Sequence, residues 1–196
     1  MRRPPRAIVI GGSTGAPAAM ASLLAGLTHT RIDAPIFVAI HVPGAFSGSL
    51  ASAFARASGR PCELVTTKMA PRAGVLYAPG PGAHLRLSKA GRDVMVESVK
   101  GVESPYTPSV DHLFESAAAT FGRDLLAIVL TGIGVDGLRG AEDVVKAGGL
   151  VLAQSQSTSV AAHMPGAVLT AKLATEAGSP AILAARIAHL FKGERR

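Results

Sequence analysis

Three side chains that together could hydrolyse an ester each follow an apolar run of the sequence. Ser13 lies in the glycine-rich turn after the first run, His41 ends the second, and Asp136 follows the most apolar run, residues 125–130. A serine hydroxyl becomes a nucleophile when a neutral imidazole takes its proton, and a carboxylate on the other ring nitrogen fixes the tautomer. The three residue types therefore predict a Ser-His-Asp triad, if the fold brings the ends of these runs together.

The elements around these residues indicate how they would be positioned. Short apolar runs alternate with alanine-rich or amphipathic segments, which is typical of parallel strands joined by helices. The predicted strands are residues 7–10, 34–40, 62–66, 125–130 and 150–153. The principal predicted helices are residues 17–27, 47–58, 109–121 and 180–191, with another ending near residue 147. In the third of these, Ser109 is expected to cap the helix, and Asp111 lies in its first turn, where a negative charge suits the helix dipole.

Residues 71–99 do not follow this alternation of strand and helix. Prolines and glycines separate short segments of alternating polarity, and residues 89–92 resemble a hairpin turn. We therefore predict an α/β fold with a doubly wound, mostly parallel sheet flanked by helices and a β-hairpin excursion around residues 71–99. The 196 residues are expected to form a single domain, 1–196, with basic tails at 1–6 and 192–196.

The carboxyl ends of parallel strands meet at one edge of a sheet, where ligands bind. Ser13, His41 and Asp136 are all expected at that edge. Taken singly, each has a structural alternative: a serine or aspartate that caps a helix, and a hydrogen-bonded histidine at a strand end. Their presence on one edge favours the triad.

A nucleotide site is the other chemistry that a glycine-rich turn after a strand indicates. The glycines Gly11, Gly12 and Gly15 do not follow the G-x-G-x-x-G pattern, and Asp33 precedes the second strand rather than following it. Gly11, Ser13 and Gly15 do fit the G-x-S-x-G elbow, although the order Ser, His, Asp differs from that of the α/β-hydrolases. The spacing thus favours a nucleophile.

Composition excludes several other classes of protein. The formal charge is +7, but the two tails supply +5 of it, and no nucleic-acid motif is present. Cys62 is the only cysteine, and the six histidines are scattered, so no metal or other cofactor is expected. No apolar run approaches the ~18 residues of a membrane span. We expect a cytoplasmic protein without nucleic-acid binding or membrane insertion.

The motifs, taken in order, resemble the catalytic domain of CheB, the chemotaxis protein-glutamate methylesterase, over nearly the whole chain. They are IGGSTGAP around Ser13, HVP at 41–43, LYAPGPGAHL from Leu76, TPSVDHLFESAA from Thr107, LTGIGVDGLRG from Leu130, AGG from Ala147, and AQSQSTSV with MP at Met164.

The resemblance implies a nucleophile at Ser13, a base at His41 and an orienting acid at Asp136. It implies hydrolysis of methylated glutamates on the cytoplasmic helical domain of chemoreceptors, with release of methanol, and in some members deamidation of receptor glutamines. A non-catalytic receptor-binding or scaffold homologue is the alternative.

The resemblance also assigns roles to the loops around the triad. Backbone N–H groups at His41 and Ile133 are the implied oxyanion donors, and Thr14 and Gly134 belong to the same oxyanion and substrate loops.

The sequence departs from the family pattern at five positions, one of which is Ile133 in place of a methionine. Ala16 replaces a glycine, Ile40 a glutamine, Thr107 an arginine and His163 a glycine. Thr107, His163 and Met164 are the candidate lining of the substrate pocket, so these departures put the substrate preference in question.

The receiver domain that the family commonly carries is also missing, because only residues 1–6 precede the first strand. This predicts either a stand-alone esterase, controlled by a separate regulatory protein, or a fragment of a longer chain.

Overall fold

The structure is a computed structural model that describes residues 3–192. The predicted basic tails, 1–6 and 192–196, extend beyond the described residues at both ends. None of the helices between residues 3 and 192 has the length and apolar character needed to cross a membrane.

A seven-stranded, fully parallel sheet forms the centre of the molecule, in the order β3-β4-β2-β1-β7-β8-β9. Its strands are β1 (Ala7–Gly12), β2 (Ile36–Ile40), β3 (Cys62–Val65), β4 (Leu76–Pro79), β7 (Leu125–Val129), β8 (Leu150–Gln154) and β9 (Glu176–Gly178). Strands β5 (His84–Ala90) and β6 (Asp93–Val99) pair separately as an antiparallel hairpin. The predicted α/β class, with its parallel sheet and hairpin, is confirmed.

Within residues 3–192, six α-helices cover the two faces of the sheet. One face carries α1 (Ala16–Ala25), α2 (Ser47–Ser58) and α6 (Pro180–Lys192), and the other carries α3 (Val110–Phe121), α4 (Leu138–Lys146), α5 (His163–Thr170) and the hairpin. Alternate residues of a strand point to opposite faces, so Ile8 and Ile10 of β1 pack in one core cluster while Ala7 and Val9 pack in the other.

Two strands differ from the sequence prediction. Leu76–Pro79, which we assigned to the hairpin excursion, is a buried strand of the main sheet between β2 and β3. Glu176–Gly178 forms a three-residue edge strand that was not predicted. The prolines and glycines at residues 79–82 make Leu76–Pro79 resemble a turn, and Glu176–Gly178 is too short to show an apolar run or an alternating pattern.

The order of the strands determines where a site can form. β1 is hydrogen-bonded to β2 on one side and to β7 on the other. Because β1, β2 and β7 are parallel neighbours, the loops that follow them lie together at the carboxyl edge of the sheet.

Candidate active site

Ser13 directly follows β1, His41 directly follows β2, and Asp136 lies in the loop after β7. The backbone N–H of His41 donates to the carbonyl oxygen of Gly12, at 3.0 Å, which places His41 beside the residue before Ser13. On the other side, the backbone N–H of Ser13 donates to the carbonyl oxygen of Thr131, also at 3.0 Å. The hydrogen bonds of the sheet thus continue into the loops and position Ser13 between the other two.

The structure brings His41 and Asp136 into contact. His41 Nε2 lies 2.8 Å from Asp136 Oδ2, although 95 residues separate the two in sequence. The His41 side chain is 13% exposed and that of Asp136 is 2% exposed. Because the Nε2 atom is held by the carboxylate, Nδ1 is the ring nitrogen left for proton exchange, and it makes no hydrogen bond within residues 3–192.

The amino terminus of α3 surrounds the Asp136 carboxylate. The backbone N–H of Val110 donates to Oδ2 at 2.7 Å, the backbone N–H of Asp111 donates to Oδ1 at 2.9 Å, and the Ser109 hydroxyl donates to Oδ1 at 3.3 Å. Gly11 permits this approach, because a methyl group there would lie 2.2 Å from Val110 Cγ1. The helix terminus and its free N–H groups favour a negative charge at this point.

These contacts determine the charge of Asp136. Burial alone raises the pKa of this carboxyl, but hydrogen bonds from His41, Asp111 and Val110 hold the pKa of Asp136 below its ordinary value. The carboxylate is therefore ionised at neutral pH, as an acid that orients a histidine and stabilises an imidazolium must be.

Asp111 makes the reciprocal contact with α4. Its Oδ1 accepts the backbone N–H groups of Gly137 and Gly140, both at 2.8 Å. Asp136, just before α4, thus accepts N–H groups at the start of α3, and Asp111, in the first turn of α3, accepts N–H groups at the start of α4. Burial raises the pKa of Asp111, and the nearby charge of Asp136 adds to this effect, while the two N–H groups and Arg139 oppose it.

A buried histidine supports the residue that caps α3. His84 Nδ1 accepts the backbone N–H of Ser109 at 3.0 Å, which requires Nδ1 to be unprotonated. Burial lowers the pKa of His84, and the neighbouring His112 lowers it further, although the Asp136 charge acts in the opposite direction. The neutral form of His84 is thus the one that fits this position.

The Ser13 loop is built from small residues in close contact. Gly15 has φ +81°, in the left-handed region that favours glycine, and a side chain at this position would clash with Val160. A methyl group at Gly132 would lie 2.8 Å from Ser13 Cβ. Ser13 is half-buried, and its hydroxyl has no hydrogen-bond partner among residues 3–192. Ala16 is buried against Gly12, so the alanine fits where the family pattern has glycine.

Free backbone donors remain near Ser13. Within residues 3–192, the backbone N–H groups of Thr14, Ile133 and Gly134 have no hydrogen-bond acceptor. The backbone N–H of His41 was also expected to be an oxyanion donor, but it is already bonded to the Gly12 carbonyl oxygen. The expectation for His41 is therefore corrected, because continued strand pairing uses this group.

The three residues predicted to line a substrate pocket lie in different environments. Thr107 is exposed and borders an apolar cavity of about 240 Å³ beside β2 and α2. His163 is exposed at the start of α5. Met164 is 1% exposed and lies against Gly132, so it supports the loop next to Ser13 from the interior instead of lining a surface pocket.

A larger depression, about 1060 Å³, lies at the amino edge of the sheet around Arg6, Asp33 and Phe121. It contains none of the predicted site residues, so the carboxyl edge remains the candidate site. Within the described part of the chain, no three His, Cys, Asp or Glu side chains come close enough to hold a metal ion.

Sequence reasoning missed several residues around the triad. Ser109 was predicted only as a helix cap and Asp111 only as a favourable first-turn charge, whereas both are also hydrogen-bonded across to the Asp136 loop. Tyr106 was not predicted at all, although its ring stacks on that of His41. The only sequence signal was the segment 107–111, TPSVD, whose long-range partners have no local pattern.

Comparison with known proteins gives one consistent family. The sequence model described as CheB methylesterase matches residues 8–187. A protein of Nitrobacter winogradskyi named protein-glutamate methylesterase/protein-glutamine glutaminase is 36% identical over 192 residues, which cover 97% of this chain and 45% of that protein. A Rhodopseudomonas palustris protein of the same name, of a group 2 operon, is 38% identical over 193 residues, covering 97% and 49%.

A solved structure matches the fold as well. The crystal structure of the Thermotoga maritima CheB methylesterase catalytic domain superimposes with a TM-score of 0.89 at 27% identity, covering 95% of this chain and 98% of that one. The chain spans about half the length of the curated relatives it matches, and nearly all of this catalytic domain.

Proposed function

Because this chain belongs to the CheB methylesterase family, we propose that it is a serine esterase of glutamate γ-methyl esters on chemoreceptor-type proteins. It acts in the cytoplasm, on the helical domain of the receptor, and also deamidates receptor glutamines. The observation that carries the proposal is the contact of 2.8 Å between His41 Nε2 and the buried, ionised Asp136, beside the strand end that presents Ser13.

The reaction assigned to these residues has two stages. Ser13 Oγ attacks the ester carbonyl carbon while His41 Nδ1 takes the hydroxyl proton, and Asp136 stabilises the resulting imidazolium. His41 then gives this proton to the departing methoxide, so methanol leaves and an acyl-enzyme remains. A water molecule, deprotonated by His41, attacks the acyl carbon; glutamate is released and Ser13 regains a proton. With a glutamine substrate the leaving group is ammonia.

Charge develops on the carbonyl oxygen in both stages. We assign to it the backbone N–H groups of Thr14, Ile133 and Gly134, which have no acceptor within residues 3–192. Donors of this kind typically contribute ~3 to 4 kcal/mol each to the transition state.

A non-catalytic receptor-binding homologue is the second candidate. It is favoured by the absence, within residues 3–192, of a hydrogen bond from the Ser13 hydroxyl. Such bonds are often long without substrate and tighten when it binds, so this observation alone does not exclude catalysis.

Methanol release from methylated receptor distinguishes the two candidates. We expect release by the wild-type chain and a loss of at least about a thousandfold in Ser13→Ala. Ser22→Ala, at an exposed serine of α1, is the matched control and should leave the rate unchanged. If Ser13→Ala retains the wild-type rate, or the wild type releases no methanol from any cognate receptor, the esterase assignment is wrong.

A further inference from the structure

Tyr106 covers one face of the His41 ring. The ring centroids are 4.9 Å apart and the planes differ by 8°, which is a stacked arrangement. Tyr106 lies in the loop between β6 and α3, and therefore reaches His41 from outside the strand-end loops that carry the triad. It has no part in the reaction as proposed above.

The orientation of His41 depends on such a contact. The Nε2 to Asp136 hydrogen bond is the only hydrogen bond of the imidazole within residues 3–192. One hydrogen bond fixes the position of that nitrogen but leaves the ring plane free to turn about it. A ring stacked on the imidazole face restricts this turning, and thereby restricts the direction in which Nδ1 points.

Tyr106 is itself fixed at two points. Its backbone N–H donates to Ser104 Oγ at 3.2 Å. Its phenol oxygen lies directly over Gly134, where a methyl group would come within 2.6 Å of it. Gly134 has φ +92°, so both its backbone conformation and the close approach of the phenol favour glycine. Tyr106 is therefore held between the Asp136 loop and the His41 ring.

We propose that Tyr106 is a positioning residue for His41. Its ring holds the imidazole plane so that Nδ1 is directed at the Ser13 hydroxyl. Its π face also attracts the imidazolium that forms when Ser13 loses its proton. The kinetic consequences rest on the proposed esterase function, whereas the position of the ring can be measured without any activity.

The first experiment is NMR of the His41 ring protons in the full chain, assigned with His41→Gln. We expect Tyr106→Leu to remove the ring-current shift of these protons and Tyr106→Phe to retain it. The ring protons of His163, which is exposed on α5, are the internal control and should not move. Unchanged His41 resonances in Tyr106→Leu would overturn the proposal even if the chain proved to be inactive.

The second experiment measures kcat and KM for methanol release in the same variants. We expect kcat to fall about three- to tenfold in Tyr106→Leu, with KM close to wild type, because the contact orients a reacting group. Tyr106→Phe keeps the stacked ring and should restore kcat. A rise in KM with unchanged kcat would make Tyr106 a substrate contact and contradict the positioning role. Urea unfolding of each variant separates either result from loss of the fold.

Discussion

At the residue scale, the balance of burial and hydrogen bonding at Asp136 is the central electrostatic feature of the site. The carboxylate accepts a ring N–H, two backbone N–H groups and a hydroxyl. Burying a charge is costly unless it is fully hydrogen-bonded, and removing the acceptor leaves buried donors without a partner. Asp136 therefore contributes to stability as well as to the orientation of His41.

We expect Asp136→Asn to lower the free energy of unfolding by about 2 kcal/mol at neutral pH, because an amide cannot accept all these donors. The folded-state pKa of Asp136 lies below its unfolded value. Its stabilising contribution is therefore complete above the unfolded pKa, about 4, and disappears as pH falls through the folded pKa. Urea unfolding at neutral and acidic pH should show the wild type and Asp136→Asn converging in acid.

Asp93→Asn, at an exposed position of the hairpin, is the control and should leave the free energy of unfolding nearly unchanged at both pH values. A difference between wild type and Asp136→Asn that stays constant down to strong acid would contradict the assigned direction of the pKa shift.

At the element scale, the start of α3 determines how the site is assembled. The sequence predicted this helix well: Ser109 is its cap, and α3 ends at Phe121 as expected. What the sequence could not show is that the helix terminus faces a carboxylate 26 residues further along the chain. Capping residues have a local signature, whereas the close contact of Val110 with Gly11 depends on the packing of α3 against β1.

We expect Gly11→Ala to displace the start of α3 and to cost about 1 to 3 kcal/mol of stability, because the added methyl group overlaps Val110. The same displacement should lower esterase turnover through Asp136. Val110→Ala removes the overlapping methyl groups, so the double variant should be more stable than the sum of the two single changes predicts. Urea unfolding and methanol release measure both effects.

Gly48→Ala is the matched control, since among the described residues nothing beyond its chain neighbours and its own stretch of helix backbone lies within 4 Å of a methyl group there, and it should not destabilise the protein. If the changes in unfolding free energy of Gly11→Ala and Val110→Ala are strictly additive, the contact between the two positions does not determine where α3 begins to pack on the sheet.

His84, which accepts a hydrogen bond at the start of α3, is expected to make the stability of the protein depend on pH. Burial lowers the pKa of His84 in the folded chain, with His112 acting in the same direction and Asp136 in the opposite one. The unfolded chain therefore binds the proton at a higher pH, about 6.5, and stability falls as pH decreases through that value. We expect His84→Gln to be less stable at neutral pH but to show a smaller loss of stability between about pH 7 and pH 5.

Urea unfolding across this range tests the expectation, and His163→Gln, at an exposed histidine, should keep the wild-type slope. An unchanged slope in His84→Gln would assign the pH dependence to other groups.

At the scale of the whole molecule, the sequence predicted the parallel sheet, because its central strands have clear apolar runs. Ser13, His41 and Asp136 follow three of these strands, and the structure brings His41 and Asp136 into contact, while the triad with Ser13 stays a prediction. The sequence did not predict β9, which has only three residues, nor the place of β4 in the main sheet, because the prolines and glycines at residues 79–82 indicate turns. The sequence also could not predict which apolar side chains are exposed around the site, since the exposure of a side chain depends on which loops surround it.

That surface is apolar where the site opens. Among residues 3–192, the exposed large hydrophobic side chains are Phe46, Ile133, Val135, Val145, Val160 and Ile182. Four of the six, all except Val145 and Ile182, lie in the loops after β2, β7 and β8, at the edge that carries the triad. The methyl ester and the glutamine amide that we assign as substrates are uncharged groups, and an apolar surround suits both.

Phe46 provides the sharpest test of this surface, because it is 58% exposed and has no role in the proposed chemistry. We expect Phe46→Ser to raise KM for methylated receptor about three- to tenfold, through loss of buried apolar area, while kcat stays close to wild type. Hydrolysis of a small ester, which cannot reach Phe46, should be unaffected.

Val145→Ser is the control, because it removes an exposed apolar side chain at the far end of α4, away from the site. If Phe46→Ser and Val145→Ser behave alike with the receptor, the receptor does not bind across this edge, and its helix must approach Ser13 from another direction.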